Sequence, residues 1–258
     1  MTVHTFESMG TVVSVRLGAS TVSPQTATTV VAAVQASQAV FDDLNDRFSL
    51  YREASEISTI ARGELLLTES SERMRAAYSQ ALLWRAATHG AFTPHRPDGV
   101  LDLSGTIKAV ALAEAAQALT KLGCDTFSIN AGGDILTHGV PEEGAWITGI
   151  VDPENRTELL SAVRLTPPFP AMATSGSAER GDHIWSRPGA RNDFLQATVI
   201  AHDIVTADVL ATAIISGGQE TLDHVTANFE VAVLIVKRNG ELLANALWHV
   251  QNERGANA

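Results

Sequence analysis

Hydrophobic and polar residues alternate over residues 3–8 and 11–17, which predicts two strands joined at Met9-Gly10. Ser23-Pro24 opens a long helical pattern that ends near Asp46. Residues 55–61 read as a short helix and 68–89 as a longer one, with Thr68-Glu69-Ser70-Ser71-Glu72 as its capping region and Gly90 as its stop. Residues 93–99 hold two prolines and Gly99 and read as a loop. A polar turn at residue 101 leads into an Ala/Leu-rich helix ending near 122. Short strands are expected at 127–130 and 135–137, around the tight turn Ala131-Gly132-Gly133-Asp134. Further strands are expected at 146–151, 161–165 and 196–201. Met172-Ala173-Thr174-Ser175-Gly176 reads as the lead into an irregular polar segment, 177–192. A helix over 204–215 and a hairpin of 230–237 with 242–247 around Asn239-Gly240 follow, and the tail 251–258 is polar.

Helices and strands are interspersed without strict alternation. That predicts an α+β fold with mixed sheets and flanking helices, not a doubly wound parallel sheet. No internal repeat or low-complexity linker is present, so residues 1–258 read as one compact domain.

Composition narrows the function classes. The chain is 45% hydrophobic and 18% charged, enough apolar material for a substantial core. Its net charge is −11 and no block of Lys or Arg stands out, which disfavours generic binding to nucleic acid or anionic membrane. An anionic ligand would have to be held locally, by a metal, backbone amides or a single lysine. Cys124 is the only cysteine, so no intrachain disulfide forms, and it reads as a small half-buried residue at a helix end. The first residues show neither a basic n-region nor an apolar h-region, and no run approaches the roughly 18 apolar residues of a membrane span. The expectation is a soluble cytoplasmic protein with no membrane insertion.

The chemistry-bearing residues fall in five clusters. Asp208 and Thr212 are four apart on an otherwise apolar helix, so they share a face. A buried carboxylate and hydroxyl need a polar partner, and a hard divalent cation is one candidate. The alternative is an exposed helix side or a local hydrogen bond. Tyr51 sits between a helix end and the expected cap Ser55, where it either stacks on a planar ligand or packs at the joint. Asp102-Leu103-Ser104-Gly105 leads into a helix carrying Lys108, an arrangement open to phosphate or to a merely solvated lysine. Asn130 to Asp134 carries paired glycines, as a close-approach site or an ordinary hairpin turn. Thr174-Ser175-Gly176 through Asp182-His183-Ile184 holds the one histidine with polar company; the other seven read as structural. GxSxG, HExxH, CxxC and GxGxxG are absent, which excludes the common serine-hydrolase, zinc and Rossmann signatures.

In this order the clusters resemble the ApbE family of FAD:protein FMN transferases. The matching segments are Met9-Gly10-Thr11, Ser49-x-Tyr51-x-x-x-Ser55-Glu56-Ile57, Gly90-Ala91-Phe92, Asp102 to Gly105 with Lys108, Asn130 to Asp134, Thr174 to Gly176, His183-Ile184 and Ala207-Asp208 through Thr212. The resemblance implies FAD as substrate and Mg²⁺ as metal. It implies an acceptor flavoprotein whose threonine hydroxyl receives FMN, with AMP released. Met9, Tyr51, Ala91, Phe92, Thr93, Lys108, Asp134, Ser175 and Ile184 match FAD-binding positions. Asp208, Thr212 and the main-chain carbonyl of Gly105 match the metal set, and His183 matches a histidine implicated in catalysis. The family's usual Asp after Gly-Ala-Phe is Thr93 here, and the glycine after its lysine is Ala109. Its Asp-Pro-x-Thr-Gly run after His-Ile is replaced by Trp185-Ser186-Arg187-Pro188-Gly189. Two other readings of the residues are an FAD pyrophosphatase, with water in place of threonine, and a non-catalytic flavin-binding protein.

Overall fold

A computed structural model describes residues 2–18, 27–142, 144–176 and 193–249. Ten strands and five α-helices are described: β1 (Thr2–Ser8), β2 (Thr11–Leu17), α1 (Ala27–Phe48), α2 (Glu56–Ala61), α3 (Glu72–Ala87), α4 (Ser104–Lys121), β3 (Phe127–Ala131), β4 (Asp134–His138), β5 (Trp146–Val151), β6 (Leu159–Leu165), β7 (Ala171–Gly176), β8 (Phe194–Ala201), α5 (Ile204–Asn228), β9 (Ala232–Lys237) and β10 (Leu242–Ala244). Eight strands form one antiparallel sheet in the order β1-β2-β3-β4-β7-β8-β9-β10, and β5 and β6 form a separate ribbon. Helices and antiparallel sheets in these proportions make the fold α+β, as the interspersed pattern predicts.

Alternation along the strands builds three layers. Val13, Val15, Phe127, Ile129, Ala173, Val199 and Ile235 point to one face and form a buried core with the helices. There α4 and α5 pack against the sheet and each other, and α1 covers α4. Ile135, Met172, Ile200 and Leu234 point to the opposite face, where Trp146, Ile150, Val163 and Leu165 of the ribbon cover them. Strand β9 is therefore buried on both faces, which is why Ala232–Lys237 is almost continuously apolar.

The strand register gathers the functional segments at one end of the sheet. The β1–β2 turn is tight, with Met9 at φ 50° and Gly10 at φ 69°. Gly132 and Gly133, at φ 61° and 94°, close the β3–β4 turn, a conformation that favours glycine. Val13 pairs with Ala131, so the two turns lie at the same end. Gly176 pairs with Gln196, which brings the end of β7 and the start of β8 there too.

Some boundaries differ from the sequence pattern. Residues 171–176 form a true central strand, not a lead into irregular chain; their small side chains carry no strand period but let α5 pack closely. The helix at 204 does not stop at 215 but runs to Asn228 through a kink at Gly218 (φ 66°, ψ −148°). The stretch 68–89 is a 3₁₀ turn, Leu67–Glu69, followed by α3, because Ser71 and not Thr68 caps the helix by accepting the Met74 N–H. Strand β10 ends early because the Asn245 side chain takes over the ladder, accepting the Val233 N–H at 3.0 Å and donating to the Val231 carbonyl at 2.7 Å. No helix among the described residues is long and apolar enough to cross a membrane. The expectations for segments 177–192 and 251–258 lie outside the described residues.

Candidate active site

Helix α5 starts where Asp203 accepts the Thr206 N–H at 2.8 Å. One turn in, Asp208 is 4% exposed, and Thr212 follows on the same face. The exposed-side alternative for this pair therefore does not hold for Asp208. Ser175 on β7 reaches across, and its hydroxyl lies 3.1 Å from that of Thr212. Beside them Thr174 donates its N–H to Asp134 at 3.2 Å. Asp134 is fully buried, and its second carboxylate oxygen pairs with the Lys108 ammonium, which is 13% exposed. Asp208, Thr212, Ser175, Thr174, Asp134 and Lys108 thus line one stretch of an otherwise apolar interior. Taking two charges from water costs several kcal/mol per ion, about what good pairing returns. The cluster therefore adds little net stability.

Asp134 is sealed from solvent, so it acts on any ligand through Lys108. Only the lysine side chain keeps an open edge. The sequence reading had both residues but not their pairing, nor the part of the Thr174 N–H in holding Asp134.

Two glycines bring a second segment against this cluster. The chain leaves α3 through His89 (φ 51°) and Gly90 (φ 81°), and Thr88 accepts the N–H of Ala91 on its carbonyl and of Phe92 on its hydroxyl. Ala91 and Phe92 are buried and Thr93 is half-buried. A Cβ on Gly105 would sit 3.0 Å from the Phe92 ring, and one on Gly217 would sit 2.9 Å from the Ala91 Cβ. Glycine at both places lets the segment seat against the first turn of α4 and the middle of α5. Just before α4, whose N-cap Leu103 has no side-chain cap, the Asp102 carboxylate accepts the Ser104 N–H at 2.9 Å.

Tyr51 is not packed at a joint. It is 88% exposed on a turn braced from below. Ser55 donates its hydroxyl to the Ser49 carbonyl at 2.7 Å, Ser58 donates to the same oxygen, and Arg62 donates to the Glu53 carbonyl. Ser55 also caps α2 by accepting the Ser58 N–H. A rigid turn holding one aromatic ring in water costs apolar exposure, and a stacking ligand would remove that cost. Met9 is half-buried on its turn at the same end of the sheet as Gly132-Gly133. Among the described residues, no hydrogen bond joins Tyr51 or Met9 to the buried cluster.

Behind this turn, Glu56 joins α2 to α3. Burial alone would raise its pKa. Hydrogen bonds from the Ser71 N–H and hydroxyl, with the Arg47 guanidinium, outweigh that and hold it below the ordinary carboxylate value. Cys124 is buried, and burial with the nearby Asp125 pushes its thiol pKa up, so it is no nucleophile.

Asp208, Thr212 and Ser175 offer one carboxylate and two hydroxyls, donors of the kind that a hard cation takes. One carboxylate plus neutral oxygens fits Mg²⁺, which keeps several waters and needs few protein ligands. No group of three or more His, Cys, Asp or Glu that could hold a metal ion occurs among the described residues. His183 and Ile184 lie outside the described residues.

Known structures share this architecture. An ApbE protein of Thermotoga maritima is 21% identical, with a TM-score of 0.79 over 97% of this chain and 98% of that one. The flavin transferase ApbE of Vibrio cholerae is 19% identical, with a TM-score of 0.74 over 97% and 98%. The flavinyl transferase ApbE of Pseudomonas stutzeri, in its apo form, is 19% identical, with a TM-score of 0.77 over 97% and 96%. At these identities the likeness is one of fold. No curated protein matched the sequence. The model of the ApbE family, however, matches residues 9–97 and 95–235, well over half of the chain. The chain therefore belongs to the ApbE family.

Proposed function

We propose that this protein is a flavin transferase that moves FMN from FAD to a threonine hydroxyl of an acceptor flavoprotein, acting as a single domain in the cytoplasm. The observation that carries the reading is the buried Lys108–Asp134 pair beside Asp208, Thr212 and Ser175, at the sheet end where the family's segments converge. Flavin transferases of the same fold support it.

The isoalloxazine ring stacks on the exposed Tyr51 face and rests near Met9. Ala91, Phe92 and Thr93 shape the neighbouring wall. Lys108 places its charge toward the pyrophosphate, held in position by Asp134, while Ser175 orients Thr212. Asp208, Thr212 and the Gly105 carbonyl would hold Mg²⁺, which when bound neutralises pyrophosphate charge, worth several kcal/mol in the transition state. Ile184 adds a flavin contact next to His183.

In the reaction the acceptor threonine oxygen bonds to the FMN-side phosphorus. The bond from that phosphorus to the oxygen bridging to AMP breaks, and AMP leaves with that oxygen. The threonine proton passes to His183, imidazole being the side chain that takes up a proton near neutral pH. The product is a phosphodiester, and no redox change occurs. Because phosphoryl transfer asks little covalent help of the protein, positioning carries much of the work.

The test is incubation of the protein with FAD, Mg²⁺ and a threonine-bearing acceptor, read by AMP release and the acceptor's intact mass. An acceptor heavier by one FMN, with equimolar AMP, supports the reading. AMP with free FMN and an unmodified acceptor makes the protein a pyrophosphatase. Intact FAD throughout makes it a flavin binder.

A further inference from the structure

The sheet face turned away from the helices carries a second polar feature that the flavin reading does not use. Ser14 and Arg16 on β2 pair across the ladder with Asn130 and Ser128 on β3, and alternation points all four away from the helical core. The ribbon closes over them. Together with Thr148 and the buried Trp146 of β5 they line a cavity of about 100 Å³. Trp146 is fixed there because its indole N–H donates to the carbonyls of His138 and Gly139.

The lining is rich in donors. Among the described residues, no Asp or Glu lines the cavity. The Arg16 guanidinium and the hydroxyls of Ser14, Ser128 and Thr148 make no hydrogen bond or ion pair with any described residue. The Asn130 carbonyl oxygen is occupied by the Gly133 N–H at 3.0 Å, and its NH₂ makes no such bond. Arg47, Arg52, Arg62, Arg73 and Arg96 pair with carboxylates, whereas Arg75, Arg85, Arg164 and Arg238, like Arg16, pair with no carboxylate among the described residues. Arg16, the sixth of the seven residues of β2, is exposed and lines this groove of hydroxyl groups without such a partner.

We propose that this cavity is a binding site for a compact oxyanion, a phosphate or carboxylate group. Arg16 offers a planar fork of donors matched to two oxygens of such a group, and the hydroxyls and the Asn130 amide meet the rest. The volume admits such a group and is small beside the roughly 300–1,000 Å³ of pockets that enclose a drug-sized ligand. Because these strands sit in the middle of the sheet, the donors are preorganised. The site lies across the sheet from the Lys108–Asp134 pair, and its occupancy does not depend on the flavin reading.

The test is titration of the ¹⁵N-labelled protein with inorganic phosphate and, separately, acetate. Saturable shifts of the Ser14, Arg16, Ser128 and Asn130 amides with one common Kd are expected for at least one probe, and the tighter probe identifies the anion class. Arg16→Gln should weaken that binding at least tenfold, since a charge-assisted fork is lost. Arg238→Gln, the same charge change at an exposed turn position, should leave it unchanged. If Arg16→Gln does not fold, Arg16→Lys keeps the charge and should still weaken binding by losing the fork. Shifts that never saturate with either probe, or equal affinity in the wild type and the folded Arg16 variant, would overturn the proposal.

Discussion

Replacing Asp134 by Asn removes one charge from the buried pair while keeping nearly the same shape. Asn can still accept the Thr174 N–H through its carbonyl oxygen, so the β4–β7 contact survives. What is lost is the countercharge to Lys108. Breaking a buried pair from one side costs about 3–5 kcal/mol. Lys108 keeps a 13% open edge and can turn its ammonium partly to water, so the lower end, about 3 kcal/mol, is expected. For a chain of this size each kcal/mol moves Tm by about 2–4 °C, so Asp134→Asn should melt about 6–12 °C lower. Removing both charges, as Asp134→Asn with Lys108→Met, should recover most of the loss, since no buried charge is then left alone. Calorimetry at pH 7 on the wild type, both single variants and the double variant closes the cycle. A single variant melting within 2 °C of wild type, or a double variant as unstable as the two singles added, would refute the reasoning.

Other consequences follow from exposure and titration. Tyr51→Ala should leave Tm unchanged, because a surface side chain contributes within about 0.5 kcal/mol, yet weaken FAD binding about 2- to 12-fold through lost stacking. Tyr51→Phe keeps the ring and should bind FAD like wild type; equal losses in both, by fluorescence titration, would implicate the hydroxyl instead. Glu56 has a folded pKa below its unfolded one, so its stabilising contribution is complete above the unfolded carboxylate pKa, about 4.3, and fades as pH falls through the lowered folded value. The difference in urea midpoint between wild type and Glu56→Gln should therefore be constant from pH 8 to 6 and shrink below about pH 4. A difference that grows on acidification would contradict the assigned direction.

Local patterns were legible in the sequence, and contacts that depend on the fold were not. Asp208 and Thr212 share a face by spacing alone, and α5 carries them so. The hairpin at Asn239-Gly240, the cap at Ser55 and the Gly132-Gly133 turn rest on local chemistry and appear where the pattern puts them. The Lys108–Asp134 pair was not legible, since the two residues stand on different elements and meet only when β4 packs on α4. The small residues of Ala171–Gly176 hid a central strand, because a strand under a closely packed helix needs small side chains more than branched ones. The sequence pattern ends α5 at residue 215, just before Gly217-Gly218. In three dimensions, Gly217 makes room for Ala91 and Gly218 marks a kink that the helix continues beyond.

The central claim is that Asp208, buried beside Thr212 and Ser175, anchors the phosphoryl-transfer site. The most direct test is single-turnover AMP release from saturating FAD, with and without Mg²⁺, in wild type and in Asp208→Ala checked for an unchanged melting profile. The account predicts Mg²⁺-dependent AMP release by wild type in the presence of a threonine-bearing acceptor. It predicts none by Asp208→Ala, while FAD binding through the Tyr51 face persists. AMP release by a folded Asp208→Ala at the wild-type rate would contradict it.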